Sequence, residues 1–566
     1  MPGSLAPSPV VEPLPPRARR QRHGVALFSA ALIAAIVLLP IGVIVAIALS
    51  GSGEDWPHLA ANVIPRSVST TLWLLAMVAV LSASIGVTSA WLVVAYDFPF
   101  RRLLAWALVL PLAVPPYLAA YAFAEFFHFT GPIQSAWRAV FGFQTARDYW
   151  FPDIRSTGGA AIVLSSVLFP YVYLTARVVF IMQGRNIADV ARTLGARPAK
   201  VLFRILLPVA RPAIVAGVAL VLMETLNDIG AVEYLGVRTL TLSVYSTWLN
   251  RGSLEGAAQI ATLMLILVLA LLYAEQWARR KQRFHGARAT HMKVRPPRVL
   301  LAGPKGWLAT VAVLLPVLSG FGIPMIVFGG YALRRYDQLL DPTLQRAFVH
   351  SVLTASAAAI LTVSAALVLM NAARLARSGT VTVIVRLASS GYALPGTIMG
   401  LGLLFALSRF DNAVDAFMRA QFGVSTGLLF TGSAAAVVLA CSVRFLALAE
   451  GAIRSGVEKL PPNLDEAARS LGHSPAQSAR LVLLPLLRPA LFTAAVLVFV
   501  DTVKELSATI LLRPFGFGTL ATHVYENASR GVVEDGAMAA ILIILTALVP
   551  VVLLSRALMR DGEATL

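Results

Sequence analysis

Long apolar runs, separated by short charged or polar stretches, recur from one end of the chain to the other. A helix needs about 20 apolar residues to cross a bilayer. By that length, six crossings are predicted near residues 25–50, 67–96, 103–127, 158–183, 208–226 and 256–277. A second set of six is predicted near 307–332, 347–373, 383–408, 425–450, 486–500 and 535–557. The first run is too long for the core of a signal peptide and is followed by many others, so it reads as an uncleaved helix. Residues 1–24 are Pro-rich and end in Arg17, Arg19, Arg20 and Arg22; they read as a disordered cytoplasmic tail.

Composition fixes the class. Hydrophobic residues make up 58% of the 566 positions and charged residues 13%, with mean hydropathy +0.76. An ordinary globular domain carries about 25% charged residues, because its outside must face water. The fold class is an all-α polytopic membrane protein. A secreted disulfide scaffold, a disordered chain and a cytosolic enzyme are excluded.

The balance of 47 Lys+Arg against 28 Asp+Glu gives +19. In a soluble protein this would suggest nucleic acid. Here no basic domain with interleaved aromatics exists, so no nucleic-acid partner is expected. Cytoplasmic loops collect Lys and Arg. The connector 278–305 holds Arg279, Arg280, Lys281, Arg283, Arg288, Lys293, Arg295, Arg298 and Lys305. Arg101, Arg102, Arg374 and Arg377 fall on the same side, whereas Asp55, Arg66, Arg409, Asp411, Asp415 and Arg419 form loops of mixed sign. Both termini are thus expected in the cytoplasm. Cys441 stands alone in an apolar run, and the eight histidines are scattered without ligand spacing. No cofactor or metal site is expected.

The strongest feature is a repeat at an offset of 277 residues. Residues 187–214 and 464–491 match at 12 of 28 positions without a gap. The matches include Gly195/Gly472, Pro198/Pro475, Pro208/Pro485, Arg211/Arg488 and Pro212/Pro489. Shared apolar composition cannot place Gly, Pro and Arg in register. Both copies follow the fourth crossing of their half, so both are expected in the cytoplasm. Six crossings per half give the halves the same orientation, related by a pseudo-twofold axis along the membrane normal. Leu112-Ala-Val-Pro-Pro116 resembles Tyr392-Ala-Leu-Pro-Gly396, and Thr239-Leu240 with Val244-Tyr245 matches Thr519-Leu520 with Val524-Tyr525. Each loop copy reads as a short helix, a Gly suited to a left-handed helix end, and a second helix closing at Leu-Pro. Asp189 or Glu466 sits in a first turn, where an acid is favoured.

These loops resemble the EAA loop of ATP-binding-cassette importer permeases. The second copy has Glu466-Ala467-Ala468, then Gly472 and Leu484-Pro485. The first departs slightly, with Asp189-Val190-Ala191, then Gly195 and Leu207-Pro208. The resemblance covers essentially residues 25–557. It implies two fused permease domains, 25–277 and 306–560, joined by the basic linker 278–305. It implies that Asp189, Ala191, Gly195, Glu466, Ala467, Ala468 and Gly472 dock on ATPase subunits. It further implies a periplasmic solute-binding protein as partner and a bacterial inner membrane as the setting, with lipid around the spans. The chain itself has no G-x-x-x-x-G-K-[ST], no HExxH and no GxSxG. No catalytic residue is expected, and the ATPase must be another polypeptide, in two copies. Gly396, Gly400 and Gly402 read as close helix packing.

Ionisable residues at spans carry a functional hypothesis by default. The offset pairs Glu224 with Asp501 and Asp228 with Glu505. Residues four apart share a helix face. The acids are expected either to line a translocation path that favours a cation, or to serve as caps and ion pairs; Lys504 beside Glu505 supports the second reading. The stretch Lys504-Glu505-Leu-Ser-Ala-Thr-Ile-Leu-Leu-Arg-Pro-Phe-Gly-Phe517 and the segment Met223–Gly236 resemble fused permeases of ferric-iron importers. The first-half pattern usually has a small residue where Asn227 stands. Relatives carrying thiamine, polyamines or organophosphonates are the alternatives, and an ion-coupled secondary transporter is the rival from another class.

Overall fold

A computed structural model describes all residues except 1–15, 52, 54, 194–197, 281–297, 377–378, 462–463, 471, 473 and 564–566. Among the described residues, ten helices are long and apolar enough to cross a membrane. They are Leu27–Ser50, Asp55–Ala95, Thr157–Ile181, Leu202–Asn227 and Leu254–Ala278, then Pro304–Arg334, Pro342–Arg374, Ala435–Glu458, Ala479–Val503 and Val533–Leu553. Two further helix pairs, Arg101–Ala113 with Pro116–Phe141 and Gly379–Gly391 with Gly396–Phe422, bring the number to 12 if each counts as one broken span.

The breaks follow from proline. A Pro offers no N–H and pushes the residue before it out of the helical region. Val114, ahead of Pro115, is extended at φ −98° and ψ 112°. The first pair bends by 99° there. Pro115 (φ −58°, ψ 144°) and Pro395 (φ −56°, ψ 140°) adopt the same conformation ahead of the next helix in their halves. The Leu-Pro repeat acts in register too. Leu207 N–H donates to Leu202 C=O and Leu484 N–H to Ala479 C=O, five residues back, so a π-helical turn opens at the same place in both copies. Proline at the next position tolerates this widening, since it removes a donor the tighter ladder would need.

The first loop copy corrects one expectation. The fourth span does not stop before it: a single helix runs from Thr157 to Thr193 and takes in Asp189 and Ala191. In the second half, Ala435–Glu458 ends and a separate helix, Leu464–Ser470, follows. Pro461 and Pro462 stand there, where the first copy has Gly184 and Arg185. Gly lowers helix propensity by about 1 kcal/mol, whereas an interior Pro costs about 3. Only the second copy therefore breaks.

The chain divides into two compact units that cut across the halves of the repeat. One gathers residues 1–38, 359–392 and 442–495. In it a Cβ on Gly391 would stand 2.5 Å from the Val443 carbonyl oxygen, and one on Gly456 2.5 Å from Ala490 Cβ. The other gathers residues 39–358, 393–441 and 496–566 and holds the large apolar core. Within it each half lends its first span to the other. Ile323–Arg334 packs on Pro116–Phe127, and Tyr331 donates its hydroxyl to Glu125 at 3.1 Å. Reciprocally, a Cβ on Gly402 would stand 2.5 Å from the Pro40 carbonyl oxygen and 2.7 Å from its Cα. Gly400 sits against Leu511 and Ala508. The glycine spacing read as close packing serves that purpose. Where the linker ends, Val299–Leu300 pairs in parallel with Tyr96–Asp97, and Thr310 donates to the Pro99 carbonyl at 3.0 Å.

Replacing Gly402 with Leu should cost about 1–3 kcal/mol through overpacking. Thermal unfolding of the purified chain in detergent should show a lowered midpoint; an unchanged midpoint would contradict this packing.

Candidate transport site

The second loop copy is built by local rules. Gly472 takes φ +86°, the left-handed region where a Cβ is strained. The next helix starts with a reciprocal cap: Gln477 N–H donates to Ser474 Oγ at 3.3 Å, and Ser474 N–H to Gln477 Oε1 at 2.8 Å. Ala467 is exposed and Ala468 is buried, so the Leu464–Ser470 helix turns one small residue outward and one inward. Glu466 lies in this helix. In the first copy Asp189 and Ala191 lie near the end of Thr157–Thr193, and Gly195 lies outside the described residues.

The acidic pairs sit where two spans break. Leu207–Asn227 ends at Asp228, and a short helix, Ile229–Tyr234, begins. Asp228 is its N-cap, accepting Ala231 N–H at 2.6 Å on Oδ1. In the other half Leu484–Val503 ends, and Ser507–Leu512 begins. Glu505 accepts Ala508 N–H at 2.9 Å, Thr509 N–H at 3.0 Å and the Thr509 hydroxyl at 2.7 Å. Both carboxylates are buried. Asp501 pairs with Lys504 at 2.7 Å. Glu224 is half-buried one turn before Asp228.

The three breaks meet. Asn227 Oδ1 accepts the Gly396 N–H, and the Asn227 carbonyl accepts the Ser507 hydroxyl at 2.7 Å. A Cβ on Gly230 would stand 2.8 Å from Tyr117 Cβ and 2.9 Å from Leu506 Cδ2. The backbone ends of the fifth, ninth and eleventh spans are thus tied to one another through polar groups of the chain. Among the described residues, no group of three or more His, Cys, Asp or Glu could hold a metal ion.

Residues 82–277 and 371–561 both match the family described as binding-protein-dependent transport system inner membrane component. The chain belongs to this family. It is therefore a transport permease, not an enzyme, and a multi-pass protein of the inner membrane. The family as a whole works with an ATPase and a solute-binding protein. The permease is 24% identical over 498 residues to the Fe(3+)-transport system permease protein FbpB 2 of Haemophilus influenzae, covering 86% of this chain and 89% of that one. It is 27% identical to the sulfate transport system permease protein CysT of Escherichia coli, over 42% of this chain and 85% of that one. It is also 27% identical to the Escherichia coli molybdenum transport system permease protein ModB, over 39% of this chain and 96% of that one.

Two features of the site escape a reading of spacing. Asn227 stands in the sequence as a minor departure from a pattern, yet it is the hub of the three breaks. Its partners are 169 and 280 residues away, beyond any local pattern. Glu233 follows Asp228 by five residues and has Ile510 as its repeat mate. The offset therefore passes over it, although it is half-buried and accepts the Tyr525 hydroxyl at 2.8 Å. Elsewhere, in the loop after Phe141, the Thr145 and Gln144 N–H groups and the Thr145 hydroxyl hold the Asp148 carboxyl below its usual range. That clamp is intact above the ordinary carboxylate range and is released only as pH falls through the lowered value.

If capping is what Asp228 does for the fold, Asp228→Ala should cost about 1–2 kcal/mol and Asp228→Asn only a few tenths. Unfolding of the purified permease in detergent measures both; equal losses would refute the cap.

Proposed function

We propose that this permease imports ferric iron, delivered by a solute-binding protein on the outer face and driven by a pair of separate ATPase subunits. One observation carries the iron reading. The relative named for Fe(3+) transport aligns across both halves of the chain, whereas those named for sulfate and molybdenum align with under half of it. The Lys504–Phe517 stretch supports the same reading. Sulfate or molybdate is the second reading, favoured by the similarity of the half-length relatives. Family membership leaves the ion-coupled secondary transporter without support.

In this proposal both termini are cytoplasmic, as the loop charges imply. Asp189, Ala191, Gly195, Glu466, Ala467, Ala468 and Gly472 make up the two ATPase-coupling segments. Closure of the ATPase pair moves these segments, and the two bundles rock to receive the solute from outside: a two-state element biased from both ends. Glu224, Asp228, Asp501 and Glu505 mark the path. The capping carboxylates Asp228 and Glu505 hold the broken helices that frame it, and Glu224 and Asp501 lie one turn before them. Surrounding lipid completes the setting.

Radio-iron uptake into proteoliposomes containing permease, ATPase and binding protein should require ATP and persist with an uncoupler. Uptake of molybdate or sulfate but not iron would overturn the iron reading. Gly472→Ile, which forces a β-branched residue into the left-handed region, should abolish uptake while the protein still inserts and folds. Wild-type uptake by that variant would overturn the coupling assignment.

A further inference from the structure

A cavity of about 320 Å³ in the larger unit is lined by Tyr121, Arg155, Gly230, Glu233, Tyr234 and Tyr525, among others. It belongs to none of the residues assigned so far to coupling or path. Its oxygen donors are ordered. Glu233 Oε2 accepts the Tyr525 hydroxyl at 2.8 Å, and Tyr245, the repeat mate of Tyr525, is an electrostatic neighbour of that phenol. The Tyr234 ring lies 4.6 Å from that of Tyr121, which lies 5.9 Å from that of Tyr117. Tyr117 and Tyr121 are one turn apart on Pro116–Phe127.

The inner end of this row is unusual. The Tyr117 hydroxyl is buried and has no hydrogen-bond partner. It lies within electrostatic reach of Asp228 and Glu505, the capping acids of the two halves. A buried hydroxyl left without a partner costs about 1–3 kcal/mol, so the Tyr117 hydroxyl is an oxygen still able to take one. A row of phenols therefore leads from an accessible carboxylate to the meeting point of the broken helices.

The donor chemistry selects the ligand. One carboxylate and several phenols are hard oxygen donors, suited to a hard cation. A free oxyanion would meet the Glu233 carboxylate. The guanidinium that lines the cavity, that of Arg155, lies over the Tyr234 ring, 5.0 Å from its centroid, and is engaged there. We propose that this cavity is a transient binding site for a hard, highly charged metal cation in transit, with Glu233, Tyr525 and Tyr234 as ligands and Tyr121 and Tyr117 as the next oxygens inward. The site rests on the iron reading above and names its first station in the permease. Each phenol that ligates the ion releases its proton to water, and Tyr525 exchanges its hydrogen bond to Glu233 for the metal.

The test is a titration of the purified full-length permease in lipid nanodiscs with Fe(III) nitrilotriacetate, read by the visible phenolate-to-iron charge-transfer band. The wild type should give the band. Tyr525→Phe, which removes one oxygen, and Glu233→Gln should each weaken binding about tenfold or more, as expected for loss of a charge-assisted contact. Both should raise the KM for iron uptake in proteoliposomes. Iron uptake by the wild type with no band, and with unchanged KM in both variants, would overturn the site and leave the function standing. Absence of iron uptake by the wild type, with molybdate or sulfate carried instead, would overturn the function and the cation assignment together. Thermal unfolding of Tyr525→Phe, which keeps its ring, separates a lost ligand from a lost fold.

Discussion

A helix that breaks in a buried place leaves backbone N–H and C=O groups away from water, and each one left without a partner costs several kcal/mol. The centre of this permease is organised by that constraint. Three of the broken spans, the fifth, ninth and eleventh, meet there, and the chain supplies partners for their ends. Asp228 and Glu505 accept the first N–H groups of the short helices that follow. Asn227 serves two of the breaks at once, through its side chain and its carbonyl. The acids that a count of intramembrane charges marks for transport thus have a structural duty of their own. Both duties are compatible, because capping fixes where the carboxylates stand and where the broken helices open.

Pseudosymmetry explains why these devices come in pairs, and the exceptions are informative. The π-turns before Pro208 and Pro485 and the extended prolines Pro115 and Pro395 repeat faithfully. The loop helices do not, since only the second copy carries a double proline ahead of its loop helix. The cavity around Glu233 is one-sided as well. Tyr525 has a mate in Tyr245, but the acid it binds has an isoleucine as mate. In the proposed mechanism the solute passes one route, so a station on it gains nothing from duplication, whereas a scaffold that rocks needs two matched halves.

The exchange of first spans between halves bears on the fusion of the two domains. Close approach at Gly402 lets the first span of one half lie against the broken third span of the other. The parallel pairing of Tyr96–Asp97 with Val299–Leu300 then fastens the end of the linker to the first half. The linker therefore joins two bundles that are already interleaved.

Much of this was legible in one dimension. Span number and class follow from apolar run length, because burying a helix in lipid is a property of composition over about 20 residues. The left-handed turn at Gly472 follows equally from a single residue whose backbone freedom is intrinsic, whereas the spans read as continuous over 103–127 and 383–408 break at Pro115 and Pro395. The paired loops follow from a repeat that the sequence prints twice. What the tertiary structure decided is which distant groups meet. Asn227 was a departure from a motif until Gly396 and Ser507 came within hydrogen-bonding distance. Glu233 was one acid among several until Tyr525, 292 residues away, bonded to it. Helix periodicity dictates a residue's face on its own helix but not which helix covers it. That choice depends on close packing between segments far apart in the chain.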